Sequence, residues 1–492
     1  MKSICWKRLF SILLVALLTA MTLSMAVAEE EVPTVVIYQN SGKIGAESKT
    51  ASTTEAYNAV HQAILDATGV DVQVIVPVAG TETEKLNLLL GSGTQFDLFW
   101  GFWQTYKDIA MPLNDLLESH GQQVLERCSA NMANMTYIDG VIYGIPRAYN
   151  LCPYPTWLRT DWMEALGLEW PTTTNEYVEV LREMKAAYPD AWPLVTGPSL
   201  EQSLHCFLGG FVEGGVGNWM DDDGQLKPYY LNKGYKDFLT WMNGLYTEGL
   251  IYPECYSSDT DGLRELIKQN KVASFAGWYS RVTLMTPYLK EIIPEADYDW
   301  IRNFSGPAGF CETPISGGSY ALIIPNTSKN AEAMMKVVNW CLADKANFMT
   351  TNYGIQDVHW TWVDEATGTF DVINTDYIGE FVNGEGPMDK TIMPNNAMQF
   401  KHYTYIHNES WDGHKEMVSF PADFGVLYDM VAMTENVMTY NDLARLVEEE
   451  SIKFITGSRD LATYDEFVNE INSFGVENYI AEINRQYSEL ID

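Results

Sequence analysis

Residues 139–150 read Asp139-Gly140-Val141-Ile142-Tyr143-Gly144-Ile145-Pro146-Arg147-Ala148-Tyr149-Asn150, and the chain runs on through Pro153, Pro155, Trp157 and Arg159 to Asp161. Asp-Gly favours a hairpin turn, because glycine accepts the positive φ such turns require. Val141, Ile142 and Tyr143 then suit a short strand, and Pro146 stops it from pairing further. Pro153 and Pro155 keep the next residues out of a helix. The segment therefore reads as a rigid extended crossover presenting the Arg147 guanidinium, the Tyr149 ring and Asn150. The competing reading is a plain connection.

Upstream, residues 32–38 form an apolar strand, 53–68 a helix closed by Gly69, and 70–76 a second strand. Thr81 opens a helix to Leu90 with Glu84 as its capping-box partner, and residues 97–100 make a third strand. This β-α-β-α-β order is the doubly wound α/β pattern, whose ligands gather beyond the carboxyl ends of the strands. Gln39, Asn40, Trp100 and Trp103 fall there. Downstream, helices are expected within 161–188, 203–211, 235–247 and 330–342. An apolar strand from Lys271 emerges at Gly277-Trp278-Tyr279-Ser280-Arg281, and residues 319–325 make another.

The first residues read as an address. Lys2, Lys7 and Arg8 precede an apolar run from Leu9 to Met25, and Ala26-Val27-Ala28 is a cleavage site. Cys5 lies ahead of the apolar run, so no lipobox cysteine is found and a soluble exported protein, periplasmic or extracellular, is expected. Of 492 residues a 28-residue leader leaves 464, enough for two lobes. Losing those three basic residues takes the formal charge from −35 to −38, which makes nucleic acid and anionic lipid poor partners. With 15 Trp and 28 Tyr, the chain holds more aromatic rings than core packing readily absorbs, and ring faces pack on the C–H faces of sugars. The six remaining cysteines show neither a disulfide framework nor zinc spacing. Asp221-Asp222-Asp223-Gly224 lacks the spacing of a calcium loop and reads as a solvated hairpin turn. No metal and no cofactor is expected. Neither a Gly-x-Ser-x-Gly elbow nor a His-Glu-x-x-His helix is present. A secreted glycosidase, with two carboxylates about 5–5.5 or 6.5–9.5 Å apart, stays open as the alternative. An adhesin lacks the expected repeats and anchor.

Residues 139–150 followed by Thr156-Trp157-Leu158-Arg159-Thr160-Asp161-Trp162 and Gly167-Leu168-Glu169-Trp170-Pro171-Thr172 resemble the extracellular solute-binding proteins of bacterial ATP-driven importers. The large oligosaccharide- and alginate-binding subgroup is the nearest in pattern. Further matches follow in order. They are Glu248-Gly249 with Pro253-Glu254, then Lys271 to Trp278 with Asn270 in a usual glycine place. Next come Tyr353-Gly354-Ile355 to His359-Trp360, with Asp357 in another glycine place, and the tail at Gly457, Tyr464 and Phe474-Gly475. The resemblance implies a two-lobed periplasmic-binding-protein fold of type II, with a ligand cleft between lobes joined by hinge crossings. It sets the lobes at 29–148 plus about 317–350, and 149–316 plus about 351–492. It also implies no catalysis, a monomer, an oligosaccharide or other polar solute as ligand, and a membrane permease as partner. Trp278 is the foremost contact carried over. Trp100, Trp103 and Trp360 would add stacking, and Asn40, Arg147, Asn150 and Arg281 hydrogen bonds, beside Tyr149 and Tyr279. The calcium loop of some relatives, near residues 186–196, is not matched, because Asp190 is its sole acidic side chain.

Overall fold

The computed structural model describes residues 32–39, 52–78, 81–132, 140–146, 151–152, 154–278, 280–316, 320–365, 369–374, 376–377, 379, 395–396, 415–426 and 428–491. Strand β1 (Thr34–Tyr38) buries Val35, Ile37 and Tyr38 and pairs parallel with β2 (Asp71–Ile75). Between them, helix Thr54–Thr68 starts where the Thr53 side chain accepts from the Ala56 amide, and stops at Gly69 with φ 70°. The capping box expected at Thr81 does not form. The Thr81 hydroxyl instead donates 2.8 Å to the Val78 carbonyl, and helix Glu82–Ser92 starts without a side-chain cap.

Strand β3 (Phe99–Phe102) begins two residues later than the pattern suggests. Asp97 is taken up as a buried clamp, accepting from the Val36 amide at 2.8 Å and the Ser328 hydroxyl at 2.6 Å. The strand expected at 141–143 is likewise displaced. Asn114 holds that stretch, with Oδ1 accepting from the Ile142 amide at 2.9 Å and Nδ2 donating to the Gly140 carbonyl at 3.1 Å. The ladder starts at β4 (Ile145–Pro146), an edge position where proline's missing donor costs nothing.

Past the first crossing lie β5 (Leu151–Cys152) and β6 (Thr156–Arg159), then β7 (Trp192–Thr196). A hairpin of β8 (Asn218–Met220) and β9 (Leu226–Pro228) follows. Its turn is the tri-aspartate stretch, tied by the Lys227 ammonium to Asp221 and Asp223. Strand β10 (Val272–Ala276) is buried at every position, as a central strand covered on both faces must be, and β11 (Tyr298–Trp300) completes the sheet. The order is β11-β6-β10-β7, with β7 and β10 parallel. Helices Thr174–Ala187, Gly234–Thr247 and Tyr440–Thr456 contribute to the second core around this sheet.

The chain returns through β12 (Ile315–Ser316) to β13 (Tyr320–Ile323), which pairs antiparallel between β3 and β4. Helix Ala331–Cys341 covers the first core. The expected change of lobe at about residue 350 falls inside helix Lys345–Tyr353. Contacts with the first lobe continue well beyond it. The Tyr377 hydroxyl donates to Thr351 O at 2.8 Å, the Thr53 amide to Asp376 O at 2.8 Å, and Gln39 to Gly379 O at 3.2 Å. At residue 419 the chain meets the segment before the return crossing, the Ser419 amide donating to Glu312 O at 2.7 Å. Strands β14 (Trp360–Asp364), β15 (Thr369–Val372) and β16 (Asn395–Asn396) form a small satellite sheet.

The two residues that the resemblance sets in glycine places both carry left-handed backbone, which favours glycine: Asn270 has φ 60° and Asp357 φ 62°. Asp357 accepts from the Thr361 hydroxyl at 2.9 Å and its amide reaches Trp360 O at 2.6 Å. Asp357→Val combines a β-branched side chain with positive φ and is expected to lower stability by about 1–2 kcal/mol in thermal unfolding, whereas Asp357→Gly keeps it. Equal melting temperatures for the two variants would contradict this account.

Candidate binding cleft

Among the described residues, two extended segments that run between the two cores pair with each other. Strands β5 and β12 run antiparallel, with Ile315 opposite Cys152 and Ser316 opposite Leu151. A two-stranded ribbon twists and bends with little loss of packing, which suits a hinge. Among the described residues, Trp278 and Ile315 are the partly buried apolar side chains that pack against both the first and the second core. Ile315 does so from the ribbon. Trp278 does so from the carboxyl end of β10, where an α/β sheet offers its ligand crevice.

The wall around Trp278 is built from residues next to the ribbon. Tyr154, two residues past β5, meets the Trp278 ring edge-on at 5.3 Å and stacks on His205 at 4.6 Å. His205 Nδ1 lies 2.6 Å from Thr313 O, and the Thr313 amide returns a 2.7 Å bond to His205 O. The Tyr154 amide donates to Glu312 Oε1 at 2.9 Å. One imidazole thus ties the residues just after β5 to those just before β12. The Trp278 amide donates to Gln202 Oε1 at 3.0 Å, and Trp278 O accepts from the Arg281 amide at 3.0 Å.

Burial, opposed by the Thr313 hydrogen bond and the Glu312 charge, brings His205 from 6.5 down to about 4. The neutral ring donates Nδ1–H to the carbonyl, which can only accept. Below pH 6.5 the unfolded chain takes up a proton that the folded chain refuses. This group's stabilisation is therefore whole above pH 6.5 and is lost as pH falls toward 4, by up to about 1.4 kcal/mol per pH unit. Urea midpoints of His205→Gln should fall less steeply than those of the parent between pH 7 and 4.5. Parallel slopes would place the titration elsewhere.

The other expected contacts divide into two groups. Trp100 belongs to the first core, and Trp103 is buried and stacked on Tyr143 at 6.3 Å. Trp360 donates Nε1 to Gly354 O at 2.8 Å and packs with Met349 and Phe370. All three indoles are buried in this structure. Arg281 stands at the start of helix Ser280–Ile292 and faces a small void with Leu263, Arg264 and Phe275. Asn40, Arg147, Tyr149, Asn150 and Tyr279 lie outside the described residues. Sequence reasoning missed Tyr154, Gln202, His205 and Glu312. The available signal was a glycine at each strand exit, Gly197 after β7 and Gly277 after β10, since glycine marks close approach.

A separate groove of about 1400 Å³ lies on the second lobe, lined by Trp219, Asp222, Asp237 and Glu477 among others. It shares no residue with the hinge ribbon or the Trp278 wall. No group of three metal-ligating side chains occurs among the described residues, and no described helix is long and apolar enough to cross a membrane.

Comparison with known proteins agrees with this architecture. Lipoprotein LipO of Bacillus subtilis is 24% identical over 454 residues, covering 85% of this chain and 87% of its own. The polygalacturonan/rhamnogalacturonan-binding protein YtcQ of the same organism is 22% identical, covering 72% and 71%. Among solved structures, the N-glycan transport solute-binding protein NgtS of Streptococcus pneumoniae superposes with a TM-score of 0.71 at 17% identity, over 93% of this chain and 98% of that one. These neighbours are two-lobed solute-binding proteins, and the fold described above is theirs. The family model described as bacterial extracellular solute-binding protein matches residues 50–348, and the chain belongs to that family.

Proposed function

We propose that the protein captures an oligosaccharide between its lobes and hands it, unchanged, to the permease of an ATP-driven importer. The observation that carries this reading is Trp278, a half-buried indole beside the hinge ribbon that packs on both cores. An indole there gives a sugar ring an apolar face to lie on, and closing the lobes removes both from water. Relatives whose names state polygalacturonan/rhamnogalacturonan or fructooligosaccharide binding, and structural neighbours described for N-glycan and alginate, support a glycan as the ligand class. Arg147, Tyr149 and Asn150 from the first crossing, with Asn40 and Tyr279, remain the proposed polar and aromatic partners. Export through the leader at residues 1–28 and action as a monomer belong to the same proposal.

A neutral glycan fits better than a polyuronate, because the chain carries a formal charge of −35 and a polyanion would need a local basic patch. The test is a melting-temperature panel of kestose, Man5GlcNAc, alginate oligomers and polygalacturonan oligomers, with chromatography of each recovered glycan. A native-state ligand raises the melting temperature in step with RT ln(1 + [L]/Kd). A rise with a neutral glycan, recovered intact, supports the proposal. Cleavage products would turn the reading to a glycosidase, and capture of peptides alone would remove the carbohydrate claim.

A further inference from the structure

Gln202 lies third in helix Leu200–Phe207, half-buried against the exits of the two parallel strands. A Cβ at Gly197 would overlap its side-chain amide and one at Gly277 its amide oxygen, so both strand ends are glycine where this amide approaches. Its carbonyl oxygen accepts the Trp278 backbone N–H at 3.0 Å, and this fixes which end of the amide is oxygen, because an amide nitrogen cannot accept. The nitrogen end then carries two donors, and among the described residues it meets no acceptor. A half-buried amide with one end tied to the backbone of the principal stacking residue, and the other end open, is built for a second partner on the same wall.

Resting on the oligosaccharide reading, we infer that Gln202 acts twice in the cleft. Its oxygen positions Trp278, and its nitrogen donates to a hydroxyl of the sugar lying on that indole. Specificity follows from the second bond: a glycan lacking this hydroxyl strands the amide donor in a closed cleft. The two roles separate by substitution. Gln202→Glu keeps an acceptor for the Trp278 N–H and loses the donors, while Gln202→Leu loses both.

The test uses the full mature chain labelled with 5-fluorotryptophan, the Trp278 fluorine resonance being identified by its absence in Trp278→Phe. The probes are kestose and Man5GlcNAc with their monodeoxy analogues. Gln202→Glu should leave the Trp278 resonance in place and weaken the parent glycan about tenfold. One monodeoxy analogue should bind parent protein and Gln202→Glu equally. Gln202→Leu should shift the resonance and weaken binding further. Unchanged affinity in Gln202→Glu overturns the donor role, and an unmoved resonance in Gln202→Leu overturns the positioning role. If the parent protein binds neither glycan, the oligosaccharide reading and the donor role fall together, while the resonance still decides the positioning role without any ligand.

Discussion

Asp161→Ala will lower the stability of the protein by about 3–5 kcal/mol. Arg159 is fully buried, and its guanidinium is held by Asp161 through Nε at 2.8 Å and Nη2 at 2.6 Å, with Asn270 Oδ1 taking Nη1 at 2.5 Å. The Trp162 ring lies 4.3 Å from the guanidinium carbon and the Tyr298 ring 5.6 Å. Burial opposes the charge, but the Asp161 bonds and the Tyr298 hydroxyl outweigh it and leave the pKa of Arg159 raised. Removing Asp161 strands a guanidinium that cannot deprotonate and has no solvent exposure, and this differs from deleting a surface pair. Glu248→Gln, which breaks the exposed pair to Arg182, is the control and should cost less than about 1 kcal/mol. Denaturant unfolding of both variants checks the contrast. A loss below about 1 kcal/mol for Asp161→Ala would show that the buried cluster is replaceable.

Trp278→Ala will weaken glycan binding by about thirtyfold or more, corresponding to about 2 kcal/mol. Truncated tryptophans at the centre of an interface commonly cost this much, because both the stacking face and the water-excluding bulk are lost. The indole also contacts both cores, so the variant will lose some stability as well. Calorimetric Kd values taken well below the melting transition separate the two losses. Affinity within threefold of the parent would remove Trp278 from the site.

How much of this was legible beforehand depends on the range of the interaction. The first β-α-β unit and the β10 strand read directly from periodicity and from glycine caps, since each signal is local. Helical structure is expected from residue 161, and the Arg159–Trp162 run carries part of the resemblance. The structure adds that its arginine is a buried cation, one of whose hydrogen-bond partners, Asn270, lies 111 residues away. No local pattern announces such a partner. Asp357 in a glycine place leaves the conformation of its loop open in the sequence, and the structure shows positive φ there, as it does at Asn270.

Of the proposed contacts, one stands out in the sequence by its position. Trp278 stands at a strand exit, a position the doubly wound pattern marks out. Trp100, Trp103 and Trp360 have the same chemistry, yet burial took them into cores. An indole's residue type carries no record of which side of a pleat or helix it occupies. Gln202, Tyr154 and His205 escaped notice because their roles arise from contacts between segments 51 to 108 residues apart, as in the Tyr154–His205 stack, the Gln202–Trp278 bond and the His205–Thr313 bond.

The central claim is that a glycan draws the two lobes together about the β5–β12 ribbon without being altered. Small-angle X-ray scattering of the mature protein, titrated with the glycan that gives the largest melting shift, tests it most directly. The account predicts a radius of gyration that shrinks and saturates at one glycan per chain, with the glycan recovered intact. An unchanged radius at saturation would contradict it.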